Sequence, residues 1–279
     1  SKYRRHYAGL MGSVYFTSYP GRDLCPPEIA PDKRGEYALF ELKKLLRYIV
    51  SPDDVACIYM EPVMGEGGYV VPPKEFVQEV RKICDEYGIL LIFDEIQAGY
   101  GRTGKMWASQ HFDVVPDIMT VGKAIAGGLP MSACITRPDI AERWPVGTHG
   151  TTFGGNPVAA AAGCVVLDQY EDGTLLKNVN EMGAYLMEKL KAVQAKYPVV
   201  YDVRGVGLMI AIEFCHEDGT PAPEIWQKVK AGCFKRHMLT LNCGVHGNGM
   251  RFATPLNVTK EEIDEGVGIV EASIAELYE

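Results

Sequence analysis

The residues best suited to chemistry are an aspartate that ends an apolar run and a lysine held in a glycine-rich turn. The run Ile89-Leu90-Leu91-Ile92-Phe93 stops at Asp94-Glu95, and Lys123 follows Asp94 by 29 residues, within Gly122-Lys123-Ala124-Ile125-Ala126-Gly127-Gly128. An apolar run that stops at an acid places that acid at the carboxyl edge of a parallel sheet, where α/β folds bind their ligands. A lysine on a neighbouring turn, partly shielded from water, can lose its proton and act as an amine nucleophile. An acid that keeps a pyridine nitrogen protonated and a lysine that forms an imine are what pyridoxal 5'-phosphate (PLP) needs. Each half also has a plain reading. The acid can cap a following helix, and Gly-Lys beside more glycine can be an exposed turn.

Composition narrows the field. With 279 residues, 47% of them apolar, the chain can bury one large core or two smaller ones. A net charge of −8 offers no basic surface for nucleic acid and argues against anionic membranes. No apolar stretch is long enough to span a bilayer, and the start Ser1-Lys2-Tyr3-Arg4-Arg5-His6 lacks the apolar core of a signal peptide. The eight cysteines are scattered, with no Cys-x-x-Cys pair, and the six histidines are dispersed, so no metal site is expected. Several cysteines sit in apolar runs and read as core residues in a reducing cytosol, which makes a cytoplasmic location the expectation.

The elements that must position the two residues follow from periodicity. The stretch to about Pro31 reads as a long loop, Tyr37 to Tyr48 as a helix, and Val55 to Met60 as a strand ending at Glu61-Pro62. Pro73 to Tyr87 is an amphipathic helix opened by proline and closed by Gly88, and the strand to Asp94 completes a strand-helix-strand unit. Short strands are expected at Met119 to Val121 and Met131 to Thr136, and helices at Pro157 to Tyr170 and Leu175 to Lys196. Then Gly205 to Glu213 reads as one strand, Glu224 to His237 as a helix, and Met238 to Leu241 and Gly249 to Ala253 as strands. Thr259 to Leu277 is a helix with Thr259-x-x-Glu262 as its capping box. The fold class is therefore α/β: a mostly parallel sheet domain over residues 1–172, and a smaller α+β domain over 173–279.

The blocks Asp94-Glu95-Ile96-Gln97-Ala98-Gly99-Tyr100-Gly101-Arg102-Thr103-Gly104 and Pro116-Asp117-Ile118-Met119-Thr120-Val121-Gly122-Lys123 resemble the signature of class III (omega) aminotransferases. These are fold-type I PLP enzymes that include the 4-aminobutyrate, ornithine and acetylornithine aminotransferases. The resemblance runs over essentially the whole chain. It implies that Lys123 is the Schiff-base lysine, that Asp94 partners the pyridine nitrogen, and that Gln97 lies near the phenolic oxygen of the cofactor. It also implies that Thr152, in Gly150-Thr151-Thr152-Phe153-Gly154-Gly155-Asn156, binds the phosphate of a neighbouring subunit's cofactor. A hydroxyl and exposed N–H groups ahead of a helix suit an anion, although a simple N-cap is the default for such a threonine. Arg251 matches the arginine that takes a substrate α-carboxylate, and Glu66 the acid that pairs with it when no such carboxylate is present. A solvated loop acid and a surface ion pair are their plain alternatives.

What the resemblance implies is transfer of an amino group from a small-molecule ω-amino donor, of 4-aminobutyrate type, to a 2-oxo acid such as 2-oxoglutarate, in a homodimer or higher homo-oligomer. Two other readings stay open: an amino-acid racemase or epimerase of the same family, and a non-catalytic folded piece. Family members also carry an upstream segment, with a phosphate loop and a ring that stacks on the cofactor, that has no match here. The chain is thus expected to be the carboxyl-terminal two-thirds of an enzyme and a poor holder of PLP by itself.

Overall fold

The computed structural model describes residues 12–278. The Ser1–His6 start and the first part of the long amino-terminal loop lie outside the described residues. Helix α1 (Arg34–Tyr48) buries Ala38, Leu42 and Leu46, and α2 (Lys74–Tyr87) buries Phe76, Val77, Val80, Ile83 and Cys84. These spacings put one apolar stripe on each helix. Gly88, at φ +70°, ends α2 in the left-handed conformation that glycine adopts without a Cβ clash.

Both helices cover one face of a four-stranded sheet in the order β1 (Cys57–Met60), β2 (Leu90–Asp94), β3 (Ile118–Val121), β4 (Ala133–Thr136). The first three strands are parallel, and β4 runs antiparallel to β3. The strand expected from Met131 starts two residues later, at Ala133, because Pro130 and the glycines before it hold a turn. Leu91 and Phe93 point into the helix layer, whereas Ile92 and Asp94 face the other side and are only half-buried.

After a short α3 (Pro138–Ala141) come α4 (Pro157–Asp168) and the long α5 (Thr174–Lys196). A second, antiparallel sheet follows in the order β5 (Val200–Val206), β6 (Met209–Phe214), β8 (Gly249–Phe252), β7 (Leu241–Cys243), flanked by α5, α6 (Pro223–Lys235) and α7 (Lys260–Ala275). The capping box of α7 forms as expected: Thr259 Oγ1 accepts from the Glu262 N–H, and Glu262 accepts from the Thr259 N–H at 2.8 Å. Two sequence expectations fail here. The apolar run read as one strand over Gly205–Glu213 is the turn of a hairpin and its second arm, with Val206 paired to Met209 around Gly207-Leu208. The strand expected at Met238–Leu241 begins only at Leu241, because Met238 closes the end of α6 by donating its N–H to the Cys233 carbonyl.

The Gly101-Arg102-Thr103-Gly104 segment locks the two sheets together. The Arg102 guanidinium donates to the carbonyls of Thr254 (2.7 Å) and Leu208 (3.3 Å), and the Arg102 carbonyl accepts the Leu208 N–H at 3.0 Å. Gly207 must be glycine: a Cβ there would fall 2.4 Å from the Thr103 backbone. Arg102 thus spends these donors on carbonyls of the second half of the chain.

Asp117 ties the first sheet to its helices. Its carboxylate accepts from the Leu91 N–H (2.8 Å), Arg81 (2.7 Å) and Arg137 (2.8 Å). Burial alone would push its pKa up, but the Leu91 N–H and the two guanidiniums outweigh that and hold it below the usual carboxylate range. Its contribution to stability is thus present at neutral pH and disappears as acid titrates it. Asp117→Ala, which leaves the buried Leu91 N–H without its acceptor and Arg81 with only its ion pair to Asp85, should cost about 1–3 kcal/mol in urea unfolding at neutral pH. A loss under about 1 kcal/mol would show the cluster to be a solvated surface group.

Candidate active site

Three strand ends meet at the carboxyl edge of the first sheet. Met60 pairs with Phe93 and Asp94 with Thr120, so Glu61, Asp94 and the turn after β3 lie side by side. Lys123 is three residues beyond Thr120, and the Glu95 N–H donating to the Thr120 carbonyl (2.9 Å) keeps the two strands paired to their ends. Lys123 has a φ of +47°, a left-handed conformation uncommon for a residue with a side chain, and its side chain is exposed. Such backbone strain concentrates at functional positions. Gly122 before it and Gly127 after it frame the short 3-10 turn Lys123–Ala126.

Asp94 is held on both oxygens. Oδ1 accepts the Ile96 N–H at 3.0 Å, and Oδ2 accepts the Tyr59 hydroxyl at 2.6 Å. Gln97 follows in the turn after β2, and its Oε1 is buried without a hydrogen-bond partner in the structure. A buried acceptor left unsatisfied costs stability unless something else binds there. Gly65 makes room for it: a Cβ at residue 65 would fall 2.0 Å from Gln97 Oε1 and 3.2 Å from Glu61 Oε1.

Glu61 is the residue that sequence reasoning passed over. Burial pushes its pKa up to about 7; the Gly65 N–H opposes this, Asp94 and Glu66 add to it, and Lys123 draws it down. The signal was present: Val55–Met60 is a second apolar run that stops at an acid, as Ile89–Phe93 is.

From the second sheet, Arg251 on β8 reaches Glu66 in the loop after β1, and its Nη1 donates to Glu66 Oε1. The arginine side chain is mostly buried and its Nε has no partner, while Glu66 is half exposed. The structure therefore brings together Asp94, Gln97, Glu61 and Lys123 along one edge and pairs Glu66 with Arg251. Thr152 is elsewhere, in an exposed turn ahead of α4. It is not the helix cap: Asn156 takes that place, its Oδ1 accepting from the N–H groups of Val158 (2.9 Å) and Ala159 (3.3 Å).

A half-buried carboxylate, an exposed amine and an orphaned amide oxygen along one sheet edge form a donor set that fits an aromatic cofactor bearing a ring nitrogen, a carbonyl carbon and a hydroxyl. The two-sheet fold is that of PLP-dependent transaminases: a PLP-bound amine transaminase from an uncultivated Pseudomonas species superposes with a TM-score of 0.90 at 29% identity, over 99% of this chain and 64% of that one. The family model for class-III aminotransferases matches residues 1–274, and the chain belongs to that family. It is 37% identical to an alanine/serine racemase of Pyrococcus horikoshii, over 97% of this chain and 58% of that protein. It is also 37% identical to the 4-aminobutyrate aminotransferase GabT of Escherichia coli, over 94% of this chain and 61% of that protein. The chain thus spans about three-fifths of the length of these curated relatives.

The Glu61 shift sets a pH test. The folded chain keeps a proton that the unfolded chain has already released, so stability falls as pH rises from the ordinary glutamate range to about 7 and then levels off. Glu61→Gln removes that loss. In urea unfolding at about pH 8 the variant should be more stable than wild type by on the order of 2–3 kcal/mol, with the gap closing below about pH 5. Parallel pH profiles would show that Glu61 is solvated and titrates normally.

Proposed function

We propose that the complete protein is a PLP-dependent aminotransferase that moves an amino group from an ω-amino acid or amine, of 4-aminobutyrate type, to a 2-oxo acid such as 2-oxoglutarate. The observation that carries this reading is the alignment of Asp94 and Lys123 at the ends of adjacent parallel strands, with the buried Gln97 Oε1 between the first sheet's edge and Gly65. PLP, when bound, supplies the electron sink for cleavage at the substrate's amine-bearing carbon. Lys123 Nζ would hold the cofactor's carbonyl carbon between turnovers, then take a proton from the substrate carbon and return it elsewhere. Asp94 would keep a positive charge on the ring nitrogen. Gln97 would hydrogen-bond beside the ring hydroxyl, and Glu61, protonated at neutral pH in part of the population, can donate into the same space.

Arg251 and Glu66 fit a pocket that must accept two kinds of substrate. The 2-oxo acid brings a carboxylate that would take the guanidinium, including the free Nε–H, in a bidentate pair. An ω-amino donor has no carboxylate next to its amine, and Glu66 then stays on the arginine as it does in this structure. The racemase reading has one specific support, the 37% identity to the alanine/serine racemase. A racemase would return the proton to the same carbon, and amino-group transfer to 2-oxoglutarate separates the two.

The proposal extends to assembly and domain layout. We take residues 1–172 as part of the cofactor-binding domain and 173–279 as the smaller domain. Helix α4 buries only Ala159 and Gly163 and leaves Val158, Val165 and Leu167 exposed, as does Phe153 beside Thr152. A second copy covering this face would carry Thr152 to the cofactor phosphate of its partner, in a homodimer.

Two experiments on the complete protein test the roles. Borohydride reduction with PLP present, followed by peptide mapping, should leave the pyridoxyl label on Lys123; a label spread over surface lysines would count against it. Arg251→Ala should raise KM for the 2-oxo acid by the equivalent of about 2–5 kcal/mol and disturb the ω-amine half-reaction far less. Equal damage to both half-reactions would make Arg251 structural.

A further inference from the structure

We propose that Tyr59 is a positioning residue for Asp94: its hydroxyl, from β1, fixes the direction in which the Asp94 carboxylate faces the ring nitrogen of the bound cofactor. The inference rests on the reading of Asp94 given above. Tyr59 pairs in register with Ile92, so its side chain lies on the same face of the sheet as Asp94. Its hydroxyl donates to Asp94 Oδ2 at 2.6 Å and lies 3.3 Å from Thr120 Oγ1. One phenol thereby spans the three parallel strands at the point where their ends meet.

A free aspartate has two rotatable bonds and would sample several directions at a half-open edge. Here the Ile96 N–H holds Oδ1 from the following turn, and Tyr59 holds Oδ2 from the neighbouring strand. Two donors from two separate elements leave the carboxylate plane little freedom, with lone pairs remaining on both oxygens for a third donor. Packing does not account for the hydroxyl. Tyr59 is 55% exposed and stands in an apolar strand where a phenylalanine would fill the same space. Burial of the hydroxyl, then the Asp94 hydrogen bond, push the phenol's pKa up to about 12, so it stays a donor at neutral and mildly alkaline pH.

The test uses the complete protein as wild type, Tyr59→Phe and Asp94→Asn. Without cofactor, carbon NMR of ring-labelled tyrosine, with the Tyr59 signal identified by its loss in Tyr59→Phe, should show Tyr59 ionising above the solvated tyrosines. In Asp94→Asn that ionisation should move down towards theirs. An unchanged Tyr59 titration would overturn the proposed contact. With PLP carrying an isotope-labelled ring nitrogen, Tyr59→Phe should lower the pH at which that nitrogen loses its proton and reduce kcat about tenfold, while cofactor affinity and KM change less. A wild-type nitrogen signal and kcat in Tyr59→Phe would overturn the positioning role. Tighter cofactor binding in Tyr59→Phe would also overturn it, by showing the phenol to be an obstacle that the ring nitrogen displaces. If Asp94→Asn itself leaves the nitrogen signal unchanged, the failure lies in the reading of Asp94 and not in Tyr59 alone. Because Tyr59→Phe keeps the ring, its melting temperature should stay within about 4 °C of wild type.

Discussion

The register of three parallel strands is the constraint on which the site depends. Pairing Met60 with Phe93 and Asp94 with Thr120 makes β1, β2 and β3 end at one level, and Glu61 and Asp94 are each the first residue past an apolar run. A slip of one residue in β2 would turn Asp94 into the helix layer and drive Phe93 out of it. The burial of Leu91 and Phe93 against α1 and α2 therefore holds the chemistry in place from a distance. Asp117, bound to the Leu91 N–H and two arginines, pins the other end of the same strand.

A second constraint joins the two halves of the site. Arg251 belongs to the antiparallel sheet and Glu66 to the loop after β1, so their pairing requires the sheets to hold a fixed relation. The Arg102 contacts to Leu208 and Thr254, and the close approach of Gly207 to Thr103, supply it. Arg102 and Thr103 in the segment after Asp94 are thus explained by packing between the sheets, while Gly101 and Gly104 make room for Tyr170 and Asn180. Only Asp94 and Gln97, at its start, face the site.

Most of the frame was legible in the chain because its signals are local. Apolar runs ending in acids, the proline and Gly88 that bracket α2, and the capping box at Thr259 each state an element within a few residues. The hairpin at Gly207 was not legible, because Val206 to Ile212 is apolar apart from Gly207 and the turn Gly207-Leu208 carries no polar turn residue. The short β7 was misplaced because the end of α6 and the start of a strand share the same residues. In the site, Asp94 and Lys123 were legible from an apolar run ending in an acid and a lysine in a glycine-rich turn, and Gln97, Glu66 and Arg251 through family resemblance. Glu61 and Tyr59 were not. Glu61 carried a local signal, the apolar run that stops at it, but Tyr59 is set apart only by Asp94 and Thr120, 35 and 61 residues away.

The central claim is that the edge formed by Asp94 and Lys123 is a single cofactor site. Its most direct test is the crystal structure of the complete protein grown with PLP. The account predicts continuous density from the cofactor's carbonyl carbon to Lys123 Nζ, and a ring nitrogen within about 3 Å of an Asp94 carboxylate oxygen. Cofactor joined to a different lysine, or a ring whose nitrogen faces away from Asp94, would contradict it.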